Sequence, residues 1–317
     1  MTLKYVLEAM DTLDDPRAGG EAVKELFARY GWREVSVERV EGAQGTTDFV
    51  KIIFQGSGGK RAGKGAPTTG VIGRLGGVGA RPTQIGLVSD ADGAVAALAT
   101  ALKLADMRRR GDVLPGDVIV ATHVCPDAPV QPHEPVPFMG SPVDMATMNR
   151  MEVDQAMDAI LSIDATKGNR VINHRGVAIS PTVKEGYILR VSEDLLRIYE
   201  AVAGIPPVVF PITTQDIMPY GNGLFHLNSI MQPATATTAP VVGIAVTAVA
   251  AVPGSATGAN HETDIALAAR YALEVAKAAG TGTCRFYDAD EWRHIQELYG
   301  AQTHLQTLGR QARTSGG

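Results

Sequence analysis

Cysteine is nearly absent from this chain: 317 residues contain only Cys125 and Cys284. Two cysteines exclude a disulfide framework and point to a reducing compartment. A long apolar run is also missing. The longest, Ala239 to Val252, contains Pro240 and stops at Pro253. It falls short of the roughly 20 residues that span a bilayer, and it reads as a buried strand. Positive charge is scarce as well. The 29 Lys and Arg against 34 Asp and Glu leave a net charge of -5, without the basic stripe of a nucleic-acid surface. The one tight basic run, Arg108–Arg110, ends a helix, where cations complement the dipole. The N-terminus is amphipathic and acidic, unlike a signal peptide. These absences together predict a cytoplasmic protein with no nucleic-acid or membrane partner. No HExxH, no P-loop spacing and no internal repeat is present.

What is present is a globular composition, 45% hydrophobic and 20% charged, enough for a buried core at this length. Apolar spacing predicts helices over Thr2–Leu13, Gly19–Tyr30, Gly93–Arg110, Met145–Met157, Glu193–Ala203, Thr263–Ala279 and Asp288–Tyr299. Short apolar runs predict strands over 35–40, 49–54, 68–72, 85–88, 117–121, 159–165, 208–212 and 241–249, and a hairpin or bent strand pair over 170–180. The alternation argues for one α/β domain over 1–317 with a largely parallel sheet and no clear linker. The last ten residues read as a frayed tail. Pro126–Pro142 carries six prolines and reads as a stiff, partly apolar excursion suited to a subunit contact, so a homo-oligomer is expected.

The stretch from Ile85 to Pro129 organises this pattern as a strand–helix–strand unit. Polar groups cluster at its ends: Asp90 and Asp92 at the first, His123, Cys125 and Asp127 at the second. Asp164 ends another apolar strand beside Thr166 and Lys167, and a small-residue loop delivers His261. Open α/β sheets place their ligand sites at such strand ends. Carboxylates and imidazoles there suit a metal-dependent hydrolase, in which the ion polarises a carbonyl and activates water. Asp90, Asp164, His261 and His123 are the candidate ligands, and Asp127 or Glu134 the candidate base. Asp92 also serves as a helix cap. His123 and Cys125, two apart on a strand, share a face and offer a Cys–His nucleophile as an alternative. Gly73–Pro82 is glycine-rich and flanked by Arg74 and Arg81, which suits an anion or a tight turn. Arg74, Asp92, Lys167, Asn169, His174, Gln215 and Asn222 complete the candidate substrate contacts, although His174, like His133, also reads as a surface or interface residue.

The segments GRLGGVGARP, LPGDVIVATHVCPDAP, PVPFMGSPVDMATMNR, DATKGNR, INHRGVAISPTVKEGYILRVSEDLL, VVFPITTQDIMPYGNGL and TGANHETD identify the chain as resembling an uncharacterised bacterial family, number eleven-seventy-seven of the domain-of-unknown-function series. More distantly, SDADGAVAALATALKL, AILSIDAT and TGANHETDIALAARYALEVAKA resemble co-catalytic zinc aminopeptidases and related amidohydrolases. That likeness implies a three-layer α/β sandwich with a mixed, largely parallel sheet flanked by helices. It implies a divalent metal, zinc by preference, acting on an amide or peptide bond of a small molecule or short peptide. It makes Asp90 the bridging ligand, Asp164 a terminal carboxylate and His261 an imidazole ligand. Two places depart from it. A His-x-Asp is replaced by Arg74 and its neighbours, and a Glu-Glu pair by His123-Val124-Cys125-Pro126-Asp127. The departures leave a metal-free alternative, in which Arg74 and the glycine-rich loop take an anionic ligand.

Overall fold

The computed structural model describes residues 1–15, 17–76, 87–126, 128–132, 138–251 and 258–309. Asp127, His133, Glu134, Arg81 and the end of the C-terminal tail lie outside the described residues, so the roles given to them above stay as expectations. In chain order, α1 (Leu3–Leu13) and α2 (Gly20–Ala28) precede a hairpin of β1 (Val35–Gly42) and β2 (Gly45–Phe54). Next come β3 (Thr69–Gly73), α3 (Asp92–Arg109) and β4 (Val118–Val124). Within the proline-rich excursion, β5 (Val130–Gln131) pairs with β6 (Phe138–Met139). Then follow α4 (Met145–Glu152), β7 (Ala159–Ala165), β8 (Gly176–Ile179), β9 (Val183–Lys184), β10 (Tyr187–Ile188), α5 (Glu193–Ala203), β11 (Val241–Thr247), α6 (Glu262–Gly280) and α7 (Ala289–Tyr299).

The main sheet runs β1-β2-β4-β3-β7-β11-β9-β10, with β8 also paired to β11. Its four central strands, β4, β3, β7 and β11, are mutually parallel. The flanking strands are antiparallel. The central strands read VIVATHV, TGVIG, AILSIDA and VVGIAVT, near-continuous small or apolar runs, because a parallel strand covered on both faces has no solvent side. Alternation then sends successive residues to opposite layers. Val71, Val120, Leu161 and Ile244 pack with α1, α3, α5 and α6. Ile72, Ile119, Ile160 and Ala245 pack with Phe210, Ile230 and Met231 on the other face. Helix α3 is buried on nearly all sides, between the sheet, α1 and α6, which explains why its Ala/Leu sequence has no polar face.

The expected strand over Ile85–Val88 is not found where it is described. Leu87 and Val88 are buried but lie outside the sheet and lead into a 3-10 turn, Ser89–Ala91. The parallel partner of β4 is β3, and α3 is the crossover between them. Likewise Val208–Ile212 supplies one bridge, Val209 to Ile179, and 170–180 supplies only β8. Apolar runs of this length serve equally well as buried loop, and periodicity alone does not separate the two. The basic run at the end of α3 is structural. Buried Asp106 takes Arg109 at 2.6 Å, Arg110 at 3.0 Å and the Tyr5 hydroxyl at 2.7 Å. Burial alone would raise its carboxyl; these partners hold it down to about 2. Among the described residues no helix is long and apolar enough to cross a membrane.

Candidate active site

The carboxyl ends of β3, β4 and β7 deliver Arg74, His123 and Asp164 to one edge of the sheet, and α3 begins against the same edge. Two glycines allow that approach. A Cβ on Gly93 would lie 1.9 Å from the Arg74 carbonyl oxygen and 2.4 Å from that of Ile163. A Cβ on Gly73 would lie 2.4 Å from the Gly93 carbonyl oxygen. The start of α3 thus rests directly on β3 and β7, which brings Asp90 and Asp92 to Asp164.

The three carboxyls sit in different surroundings. Asp164 is buried and accepts hydrogen bonds from the Ser229 hydroxyl at 2.8 Å and the Ala165 N–H at 2.7 Å. Burial raises it to about 7 even though those donors and the nearby charge of Arg74 pull the other way. Asp90 keeps some exposed surface, but its carboxyl sits deep enough that burial, followed by the like charges of Asp164 and Asp92, drives it well above the ordinary range. Among the described residues no donor or cation reaches it. Asp92 is fully buried, and burial raises it as well. Lys167 donates to its Oδ2 and Asn260 donates to its Oδ1 at 2.5 Å, each offsetting part of that rise.

Behind these lies a closed row of charges. Arg74 and Glu152 have no exposed side-chain surface, and Nε of Arg74 is 2.7 Å from Oε2 of Glu152. Arg74 also donates to Asn149. The other Glu152 oxygen lies 2.7 Å from Nδ1 of His123, whose Nε2 accepts the Gly76 N–H at 3.0 Å. An Nε2 that accepts leaves the proton on Nδ1, so His123 is the Nδ1–H tautomer donating to Glu152. In front, Tyr220 hydrogen-bonds Ser229, and burial followed by the charges of Asp164 and Asp216 raises its phenol to about 12. The tyrosine therefore stays protonated beside Ser229, whose hydroxyl donates to Asp164. The loop carrying Tyr220 and Ser229 is tied down by buried Asp216, which accepts N–H groups from Thr213, Leu227 and Asn228.

Several sequence expectations need correction here. His123 is not an open metal ligand, because both ring nitrogens are used within the buried row. Arg74 is not available to an anionic ligand, because it is wholly buried and its charge is met by Glu152. Asp92 does not cap α3; its carboxyl is taken by Lys167 and Asn260. Cys125 is buried in a small apolar cluster with Val88, Ala128 and Met139, and its thiol donates to the Thr46 carbonyl at 3.5 Å. His261 is exposed at the N-cap of α6, and its charge is felt at Asp92. Among the described residues no three His, Cys, Asp or Glu side chains are grouped to hold a metal ion, so Asp90, Asp164, His261 and His123 do not form the expected ligand set.

The remaining candidates are engaged locally or face solvent. Asn169 holds the N–H groups of Val171 and Ile172, Asn222 holds that of Leu224, and Gln215 is exposed. The ring of His174 is partly buried, with Nε2 enclosed and unpartnered among the described residues. The residues that sequence reasoning missed are Asn149, Glu152, Tyr220, Ser229 and Asn260. Glu152 had one signal, since it falls seven and four residues after Met145 and Met148, on the apolar side of α4.

A family model described as "Protein of unknown function (DUF1177)" matches residues 38–309. No curated protein matches the chain. Among solved structures, the bottromycin maturation enzyme BotP in complex with Mn is similar at a TM-score of 0.51 and 15% identity, covering 87% of this chain and 71% of that chain. At that identity the likeness is one of fold: a mixed, mostly parallel sheet flanked by helices.

Proposed function

The chain belongs to the DUF1177 family of unknown function, and on that footing we propose that it is a hydrolase of amide or peptide bonds in small substrates, with Asp90 and Asp164 as its working pair. One observation carries this: two carboxyls repel each other at a strand-end edge, both displaced upward, and Asp164 to about 7. Two such groups cannot both ionise easily, so one holds a proton while the other is free to take one. Asp164, favoured as an anion by Ser229, the Ala165 N–H and Arg74, is the base. It takes a proton from water as the oxygen bonds to the amide carbon. Asp90, buried against the like charges of Asp164 and Asp92, keeps its proton and gives it to the amide nitrogen as the C–N bond breaks. An acid and an amine leave, and solvent returns the proton from Asp164 to Asp90.

Asp164→Asn and Asp90→Asn are each expected to lower kcat by about 10²–10⁴-fold on a panel of dipeptides and N-acyl amino acids. Wild-type kcat/KM should rise through an ionisation near pH 7. Turnover by Asp164→Asn at the wild-type rate would sink the assignment.

A second reading is favoured by the carboxyl of Asp90, which no donor or cation reaches among the described residues. Two hard oxygen donors suit a divalent ion such as manganese, and zinc also binds carboxylates. The described residues supply fewer than three grouped donors. Metal analysis of the purified protein and thermal shift with manganese or zinc decide it. Stabilisation lost in Asp90→Asn supports the ion, and none in wild type removes it.

A further inference from the structure

Tyr220 belongs to two surroundings at once. Through Ser229 it faces Asp164, and it also lines a cavity of about 500 Å³ between α4 and the 219–236 segment. Apart from exposed Gln155 and the Tyr220 hydroxyl, the polar side chains of that cavity are already used. Asn149 takes Arg74 and donates to Thr235 at 3.0 Å. Gln232 accepts the Tyr220 N–H and donates to the Met218 carbonyl at 2.7 Å. Gln306 donates to the carbonyls of Ala234 and Thr237. What remains for a guest is apolar surface from Met145, Val153, Pro219, Ala236 and Leu308. One charged group lies on the lining, Arg150, which is exposed. Its guanidinium donates to the Thr147 hydroxyl at 3.0 Å, and no carboxylate pairs with it among the described residues.

We propose that this cavity is a subsite for the acid-bearing, apolar part of the substrate. The hydrocarbon fills the space between Met145 and Leu308, and a carboxylate meets Arg150 at the rim. The amide then extends past Tyr220 towards Asp164. The substrate class is an amide whose one side is an apolar group bearing a free carboxylate. An ammonium at that end would meet like charge, and a neutral head would forgo the charge-assisted contact with Arg150. The place of this subsite in a reaction rests on the hydrolytic reading of Asp90 and Asp164; the binding itself does not.

Titration calorimetry with 4-phenylbutanoate, 4-phenylbutanamide and 4-phenylbutylammonium tests it. The acid is expected to bind about tenfold more tightly than the amide, and the ammonium not at all. Arg150→Gln should bring the acid down to the affinity of the amide. Ala146→Trp, at an exposed lining position of α4, should block both. Asp164→Asn should leave acid binding unchanged while removing turnover, so failure of the hydrolase reading and failure of the subsite give different results. Absence of acid binding at millimolar concentration overturns the proposal. So does equal binding of acid and amide, or an Arg150→Gln protein that binds the acid like wild type.

Discussion

Arg74 and Glu152 are costly residues to bury, since each would lose several kcal/mol of hydration if it stood alone. They are stable together because Asn149 and His123 satisfy what the pair leaves over. Glu152→Gln leaves a guanidinium with no counter-charge and should destabilise by about 3–5 kcal/mol in urea unfolding. An Arg74→Met, Glu152→Met double variant should lose less than the sum of its single variants, and strict additivity would mean that the two do not act as a unit. This row was not legible in the sequence. His123-Val124-Cys125 shows a histidine near a thiol, and nothing local tells that a glutamate 29 residues on will take its Nδ1 proton. Asp90 and Asp164 were legible, because each breaks the polarity pattern at the boundary of an element. Ser229 and Asn260 were not, being ordinary loop residues until the fold sets them beside an aspartate.

At the scale of elements, the contact between the start of α3 and the ends of β3 and β7 leaves no room for a single methyl group. Gly93→Ala puts that methyl against backbone oxygens rather than a side chain that could swing aside. Overpacking of a core typically costs about 1–3 kcal/mol, and fixed backbone places this case at the upper end. A lower Tm and weaker electrostatic coupling of Asp90 to Asp164 are expected together; an unchanged Tm would contradict the close approach. The central strands and α3, α5, α6 and α7 follow from apolar runs and 3.6-residue spacing, which depend on burial alone. The segments at 85–88 and 208–212 show the limit of that signal. Leu87 and Phe210 are buried, but the Leu87 N–H bonds the Asp14 carboxyl and Val209 makes a single bridge to Ile179, and side-chain pattern does not record where a backbone bonds.

For the whole molecule, the carboxyl cluster sets how stability depends on pH. Asp164 has an ordinary value of 3.8 and is held at about 7 in the fold. Between roughly pH 4 and 7 the folded chain therefore binds the proton that the unfolded chain has released, and stability falls as pH rises through that window. Asp90 acts in the same direction. Asp106, held down to about 2, acts in the opposite direction, and its contribution is lost as pH falls from about 4 towards 2. Urea midpoints should decline from mildly acidic to neutral pH, with a shallower decline in Asp164→Asn. Equal slopes for wild type and variant would show that Asp164 ionises normally. The contacts around Asp92 also bear on how the chain folds. Its partners Lys167 and Asn260 lie 75 and 168 residues further along. Contacts of such separation form late and slowly, because long loops must close before they are rewarded. A growing chain passes through a long interval in which Asp90, Asp92 and Asp164 all exist but stand apart in water as ordinary ionised aspartates. On the hydrolytic reading proposed above, an unfinished molecule thus carries the residues without the reactivity.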